Sequence, residues 1–85
     1  MPKVLEVNGF RFFFYSADGD EPCHVHVRRG DGDGKIWLEP ETKEEYLEDF
    51  KNQEKREIRR IVNENRDYLI TKWYEYFGRK EIRST

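Results

Sequence analysis

The chain has 85 residues, of which 40% are charged and 35% are hydrophobic, and its formal net charge at pH 7 is -2. This length corresponds to one small domain, and the 15% of aromatic residues supply the apolar area that such a charge-rich chain needs for a core. The slight negative charge excludes a global attraction to nucleic acid or anionic membrane, and the single cysteine excludes an internal disulfide framework.

Residues 4–15, "VLEVNGFRFFFY", predict a β-hairpin. Asn8-Gly9 between two apolar runs favours a type I′ turn, in which both central residues have positive φ. The predicted cross-strand pairs are Val7 with Phe10, Glu6 with Arg11, Leu5 with Phe12, and Val4 with Phe13. One face is purely apolar and is the expected core: Leu5, Val7, Phe10, Phe12 and Phe14.

A second hairpin is predicted after the acidic loop "SADGDEP" at residues 16–22. "HVHVR" and "KIWLE" both alternate, with "GDGDG" at residues 30–34 as the turn, and Pro40 ends the last strand. Val25 and Val27 are assigned to the core, so both histidines face the other way. The predicted pairs are Val27 with Ile36, Val25 with Leu38, His26 with Trp37, His24 with Glu39, and Arg28 with Lys35.

The pattern changes to a helical period after Pro40. Thr42 and Glu45 match a capping box, which predicts a short helix or turn over residues 41–51. One long helix is predicted over residues 53–78, with Asn52 as its N-cap and Gly78 at its end. Its apolar stripe comprises Ile58, Ile61, Val62, Leu69, Trp73 and Phe77. The expected fold is α+β: a single domain with a four-stranded antiparallel sheet over residues 1–39 and the long helix across one face.

The second face of this sheet is the candidate functional surface. It remains open unless residues 41–52 or another chain cover it, and three exposed aromatic rings on so small a protein would indicate a partner. The residues assigned to it are Arg11, Phe13, Tyr15, His24, His26, Arg28, Lys35, Trp37 and Glu39.

Three kinds of chemistry fit this face. In the first, it binds a macromolecule, because aromatic rings beside cations are typical of platforms for single-stranded RNA, and the same surface suits a protein partner or a second copy of the chain. In the second, it is a metal-independent endoribonuclease with His24 or His26 as general base, Glu39 as its orienting group, and Arg28 and Lys35 on the phosphate.

The third alternative is a divalent-metal site. His24 and His26 can chelate one ion, with Glu39 as the candidate third ligand, whereas Cys23 points to the wrong face. A structural zinc site needs four ligands, so this alternative ranks last and we expect no metal or cofactor. No stretch is apolar enough for a signal segment or membrane helix, which favours a cytoplasmic protein that does not bind membranes.

The order and spacing of "RFFFYS", "EPCHVHVRRGDG", "KIWLEP" and "EIRRIVNENRDYLITKWYEYFG" resemble domain of unknown function 4160, over about residues 1–80. Members carry a proline or two before the His-Val-His-Val strand, and this chain has Pro22 alone. The resemblance implies a bacterial protein with a small protein partner encoded by a neighbouring gene, similar to toxin–antitoxin pairs, and implies no agreed catalytic residues. We therefore expect a macromolecule-binding accessory or toxin–antitoxin-type component.

Overall fold

The computed structural model describes residues 3–78, which form one antiparallel sheet followed by two helices. The five strands lie side by side in chain order, and a 3₁₀ helix, Ser16–Asp20, connects the second strand to the third. The elements are β1 Lys3–Val7, β2 Phe10–Phe13, β3 His24–Arg29, β4 Gly32–Trp37, β5 Lys43–Glu48, α1 Asn52–Glu64 and α2 Arg66–Phe77. The predicted α+β class is confirmed, with one strand more than expected. In the part of the chain described, no helix is long and apolar enough to span a membrane.

The first hairpin has the predicted turn. Asn8 and Gly9 have φ values of 52° and 83°, and the pairs nearest the turn are the expected ones. The fourth pair was predicted wrongly, because an irregularity in β1 places Lys3, not Val4, opposite Phe13. Directly opposed residues share a face, so this shift brings a lysine onto the second face of the sheet.

The second hairpin keeps the predicted faces but has a shorter turn. Only Gly30 and Asp31 lie outside the strands, and Gly30 has the positive φ, 59°, that the first position of a type II′ turn requires. The predicted register was therefore wrong by two residues. The observed pairs are His24 with Trp37, Val25 with Ile36, His26 with Lys35, Val27 with Gly34, and Arg28 with Asp33.

Gly32 and Gly34 were predicted to be in the turn but belong to β4, where packing leaves no room for a larger side chain. A Cβ on Gly34 would lie 2.5 Å from Cδ2 of Leu47, and one on Gly32 would overlap the ring of Phe50. These two positions make room for core side chains from β5 and the connection that follows it.

The segment predicted as a short helix or turn over residues 41–51 is a strand. β5 pairs with β4 and extends the sheet, so this segment does not lie across either face. The expected capping box does not form, because Oγ1 of Thr42 accepts a hydrogen bond from Nε of Arg66 at 3.0 Å. The side chain of Glu45 instead accepts a hydrogen bond from Nε1 of Trp37 at 2.7 Å.

The predicted long helix is divided at Asn65. Its side-chain Nδ2 donates to the carbonyl of Ile61 at 2.8 Å, and its φ and ψ of -114° and 16° are not helical. Such local side-chain bonding to the preceding turn competes with helix continuation. Lys51, not Asn52, occupies the N-cap of α1, whereas Gly78 ends α2 as predicted, with a φ of 85°.

Both helices contribute to the core on the apolar face of the sheet. The predicted stripe is buried except for Phe77, which is partly buried, and it packs against the predicted inward residues of the strands. The core contains Phe10, Phe12, Phe14, Cys23, Val25, Val27, Ile36, Leu38, Leu47, Phe50, Ile58, Ile61, Val62, Leu69 and Trp73. The second face therefore lies opposite the helices, as expected.

Candidate functional site

The second face has a covered half and an open half. The 3₁₀ helix Ser16–Asp20 brings Asp18 onto β3, where His24 is 0% exposed and His26 is 7% exposed. Both histidines occupy the predicted face, but the expectation that they are exposed was wrong. Alternation along a strand determines which face a side chain takes, and a loop from elsewhere decides whether solvent reaches it.

His24 is enclosed by aromatic rings. Its ring centroid lies 5.2 Å from that of Trp37 and 5.0 Å from that of Trp73, which reaches it from α2. Nδ1 of His24 donates a hydrogen bond to the carbonyl of Pro22 at 2.9 Å. Nε2 lies 3.2 Å from Oδ2 of Asp18, but the direction does not suit a hydrogen bond, and this nitrogen has no hydrogen-bond partner among residues 3–78.

His26 has a similar enclosure one step along the strand. It stacks on Phe13 with centroids 5.6 Å apart and meets the edge of Tyr15 at 4.6 Å. Nε2 of His26 donates to Oδ2 of Asp18 at 3.1 Å. Burial lowers the pKa of His26 below its ordinary value, and the nearby Asp18 carboxylate opposes this effect only in part.

Asp18 is the group that joins the two histidines. Its Oδ2 accepts the backbone N–H of Tyr15 at 2.8 Å in addition to the bond from His26. One ligand atom from each of Asp18, His24 and His26 lies within 4.8 Å of the others. This triad is a carboxylate with two imidazoles, which is a donor set for a transition-metal ion.

The predicted pair of His24 with Glu39 does not form. The Glu39 carboxylate accepts a hydrogen bond from the hydroxyl of Tyr74 at 2.6 Å, and Trp37 takes its place opposite His24. Burial raises the pKa of the neighbouring Cys23 thiol to about 12, so that thiol is not a nucleophile at neutral pH. The expected geometry of a general base with its orienting carboxylate is therefore not present at these positions.

The aromatic residues assigned to this face are only partly available to a ligand. Phe13 is 4% exposed, whereas Tyr15 is 38% exposed. Nζ of Lys35 lies 4.4 Å from the ring centroid of Trp37 and donates to Glu21 at 2.9 Å. The expected platform of three free rings is reduced to the edge of Tyr15 and part of Trp37.

The open half of the face is basic. Arg11 on β2 lies directly opposite Arg28 on β3, and both side chains are exposed. Together with Lys3 and Phe13 they line a shallow cavity of about 270 Å³. We call the three cations Lys3, Arg11 and Arg28 the basic patch.

Sequence reasoning missed two members of these sites, Asp18 and Lys3. Asp18 lies in the acidic loop between adjacent strands, and an acid in a short connection could have been expected to fold over the neighbouring histidines. Lys3 reaches the face only through the irregularity in β1, for which the sequence has no evident signal.

Comparisons with known proteins give a family and no characterised relative. Searches of curated proteins and of solved structures returned no match. The profile of a family described as "Domain of unknown function (DUF4160)" matches residues 9–74. This range includes β2 to β5, α1, most of α2, the triad, and Arg11 and Arg28. Because the match extends over most of the chain, the protein belongs to the domain of unknown function 4160 family.

Proposed function

We propose that the protein is an accessory protein that binds an acidic protein partner through the basic patch. The observation that supports this is the direct opposition of Arg11 and Arg28 across β2 and β3. Like charges at directly opposed positions destabilise a sheet, and an anionic group placed between them removes that repulsion. Binding such a partner turns an unfavourable pair into a favourable one.

The surroundings of the patch favour a partner with a small number of acids. Lys3 pairs with Glu6 at 2.7 Å, and Arg28 lies 3.6 Å from Asp33. These exposed ion pairs are weak and can exchange for carboxylates of a partner. Electrostatic complementarity of this kind raises the association rate and selects the partner.

A nucleic acid fits the patch less well than a protein does. A polynucleotide has a charge at every residue and would extend from the patch onto the neighbouring acids Glu6 and Asp33. The base-stacking rings that RNA recognition uses are largely occupied, since Phe13 is buried and Lys35 lies over Trp37.

The family resemblance suggests where to look for this partner. A small protein encoded by the neighbouring gene, as in toxin–antitoxin pairs, is the candidate. An endoribonuclease with His24 or His26 as general base is not favoured, because both imidazoles are buried and Glu39 is bonded to Tyr74.

The test is binding of the purified neighbouring gene product, measured by calorimetry. We expect association that weakens with added salt and that falls about tenfold for each charge removed in Arg11→Gln and Arg28→Gln. The control is Arg60→Gln on α1, where the arginine pairs only with helix acids, Glu57 and Glu64, among the described residues. Equal losses in the control and the patch variants, tighter binding to an RNA oligomer, or self-association through the patch would each contradict the proposal.

A further inference from the structure

The covered half of the second sheet face contains a buried ring nitrogen, Nε2 of His24, that lacks a hydrogen-bond partner among the described residues. The side chain of His24 is 0% exposed. A buried polar atom without a partner costs free energy, so such atoms in native proteins have a reason to persist.

The tautomer of His24 defines what Nε2 can do. The carbonyl of Pro22 can only accept a hydrogen bond, so Nδ1, 2.9 Å away, carries the proton. In the neutral ring Nε2 then carries a lone pair, which lies 3.2 Å from Oδ2 of Asp18, another acceptor. Two acceptors at this separation repel each other unless a proton or a metal ion lies between them.

We infer that Asp18, His24 and His26 form a binding site for a divalent transition-metal ion of the zinc class. Oδ2 of Asp18 lies 3.2 Å from Nε2 of His24 and 3.1 Å from Nε2 of His26. Zinc bonds of about 2.0–2.1 Å to nitrogen and oxygen require ligand atoms about 3.3 Å apart in a tetrahedral site. The two Asp18 separations already suit one ion, and all three ligand atoms lie within 4.8 Å of one another, so the imidazoles have to adjust towards tetrahedral spacing. The ion would also displace the proton that Nε2 of His26 donates to Asp18.

The groups around the triad orient its ligands as groups around metal sites do. A ligating histidine usually donates its second ring N–H to a carbonyl or carboxylate, which is the bond that His24 makes to Pro22. The backbone N–H of Tyr15 holds Asp18 in place, at 2.8 Å from Oδ2. The aromatic rings packed against both imidazoles restrict their rotation. Folding therefore orders the ligand side chains before an ion binds, which reduces the entropy lost on binding.

The donor set selects the kind of ion. Two imidazoles with one carboxylate suit zinc, iron, nickel or copper, whereas calcium and magnesium prefer oxygen ligands alone. Three protein ligands leave a position for water or for Glu21, whose Oε1 lies 3.8 Å from Nε2 of His24. Glu21 also accepts a hydrogen bond from Lys35, which reduces the repulsion between that ammonium group and a bound cation.

The first experiment titrates chelator-treated, untagged protein with Co(II) and follows its visible d–d absorption, then displaces the Co(II) with Zn(II). We expect one ion per chain and a rise in Tm of roughly 10 °C when free Zn(II) exceeds Kd about 100-fold. An equal response to Mg²⁺, or no spectral change with Co(II), would overturn the inference.

Matched variants locate the site. Asp18→Asn and His26→Gln keep side-chain size and should weaken Co(II) binding by at least about 100-fold. Asp20→Asn, which removes an exposed carboxylate two residues from Asp18, should bind as the native chain does. Circular dichroism of the metal-free variants verifies that they fold, and unchanged Co(II) affinity in folded Asp18→Asn would contradict the site.

Nitrogen-15 NMR separates a metal from a proton at His24. Nδ1 should show the N–H that bonds to the carbonyl of Pro22, and Zn(II) should shift the resonance of Nε2. A ring protonated at both nitrogens and unaffected by Zn(II) would show that an imidazolium–Asp18 pair fills this role instead. The triad and the basic patch share no residue, so Arg11→Gln should retain metal binding even if the partner proposal fails.

Discussion

The covered and open halves of the second sheet face are built from the same strands but have opposite physical character. In the covered half, His24 and His26 are buried under the 3₁₀ helix and enclosed by aromatic rings. In the open half, Arg11 and Arg28 are exposed and lie directly opposite each other. Two residues along β3 are enough to pass from His26 in one environment to Arg28 in the other.

The difference shows that strand alternation assigns a face but does not assign an environment. Polar groups in the covered half must find directional partners, because water does not compensate them. Cations in the open half keep their hydration, so their contacts with acids contribute little to folding. Stability should therefore depend strongly on the covered half, and partner binding on the open half.

The largest expected effect is that of His24→Ala. The substitution removes a buried ring packed between Trp37 and Trp73 and leaves the carbonyl of Pro22 without its donor. We expect the free energy of unfolding to fall by about 3 kcal/mol in urea denaturation with EDTA present. A loss below about 0.5 kcal/mol would mean that this half of the face is not rigidly packed.

Asp18→Ala should have an intermediate effect. It removes the acceptor for the Tyr15 amide and for His26, and we expect a loss of about 1–2 kcal/mol under the same conditions. The amide of Tyr15 should exchange faster with deuterium, whereas amides of the first hairpin turn at Asn8 should not change. Faster amide exchange across the whole sheet would indicate global destabilisation and would contradict the proposed difference between the two halves.

The pH dependence should be smaller and should come from His26. Because burial lowers the pKa of His26, the unfolded chain binds more protons than the folded chain just below the ordinary value of 6.5. Stability should therefore fall as the pH decreases through 6.5 and level off below the folded pKa. Urea denaturation from about pH 7.5 to about pH 5 should show this decline in metal-free native protein and a weaker one in His26→Gln. An identical slope in both proteins would assign the dependence to other groups.

The smallest effect on stability is expected for Arg28→Ala. Its 3.6 Å contact with Asp33 is exposed, and relief of the repulsion from Arg11 offsets the lost attraction. We expect the free energy of unfolding to change by no more than about 0.5 kcal/mol. A loss comparable with that of Asp18→Ala would remove the contrast between the halves.

Much of the fold follows from local patterns in the sequence. Asn8-Gly9 predicts the first turn because these residues tolerate positive φ, and it fixes three of four pairs in the hairpin. Alternation correctly places Val25 and Val27 in the core. The helical stripe and the Gly78 stop are also correct, because each depends on residues within a turn or two of each other.

The errors occur where distant residues decide the outcome. Residues 43–48, "KEEYLE", resemble a charged helix, yet they form β5 because pairing with β4 supplies their backbone hydrogen bonds. The register of β3 on β4 depends on Gly32 and Gly34 making room for Phe50 and Leu47, which lie outside the hairpin. The division of the helix at Asn65 is the exception, because its side chain bonds locally to the carbonyl of Ile61, and the apolar period of the helix does not reveal such a bond.

The sequence by itself determined the α+β class, most of the core, and the sheet face on which the two histidines and two arginines lie, because those properties follow from short-range periodicity. Leu47 and Phe50 join the core through β5, which the sequence did not predict, and Leu5 and Val7 are only partly buried. Only the tertiary structure decided that an acidic loop folds back over the histidines while the arginines stay exposed. That outcome depends on Asp18 reaching His24 and His26 from outside the strand. Local periodicity contains no information about such contacts. Because of them, two histidines that were expected on the surface are buried with Asp18 in the triad.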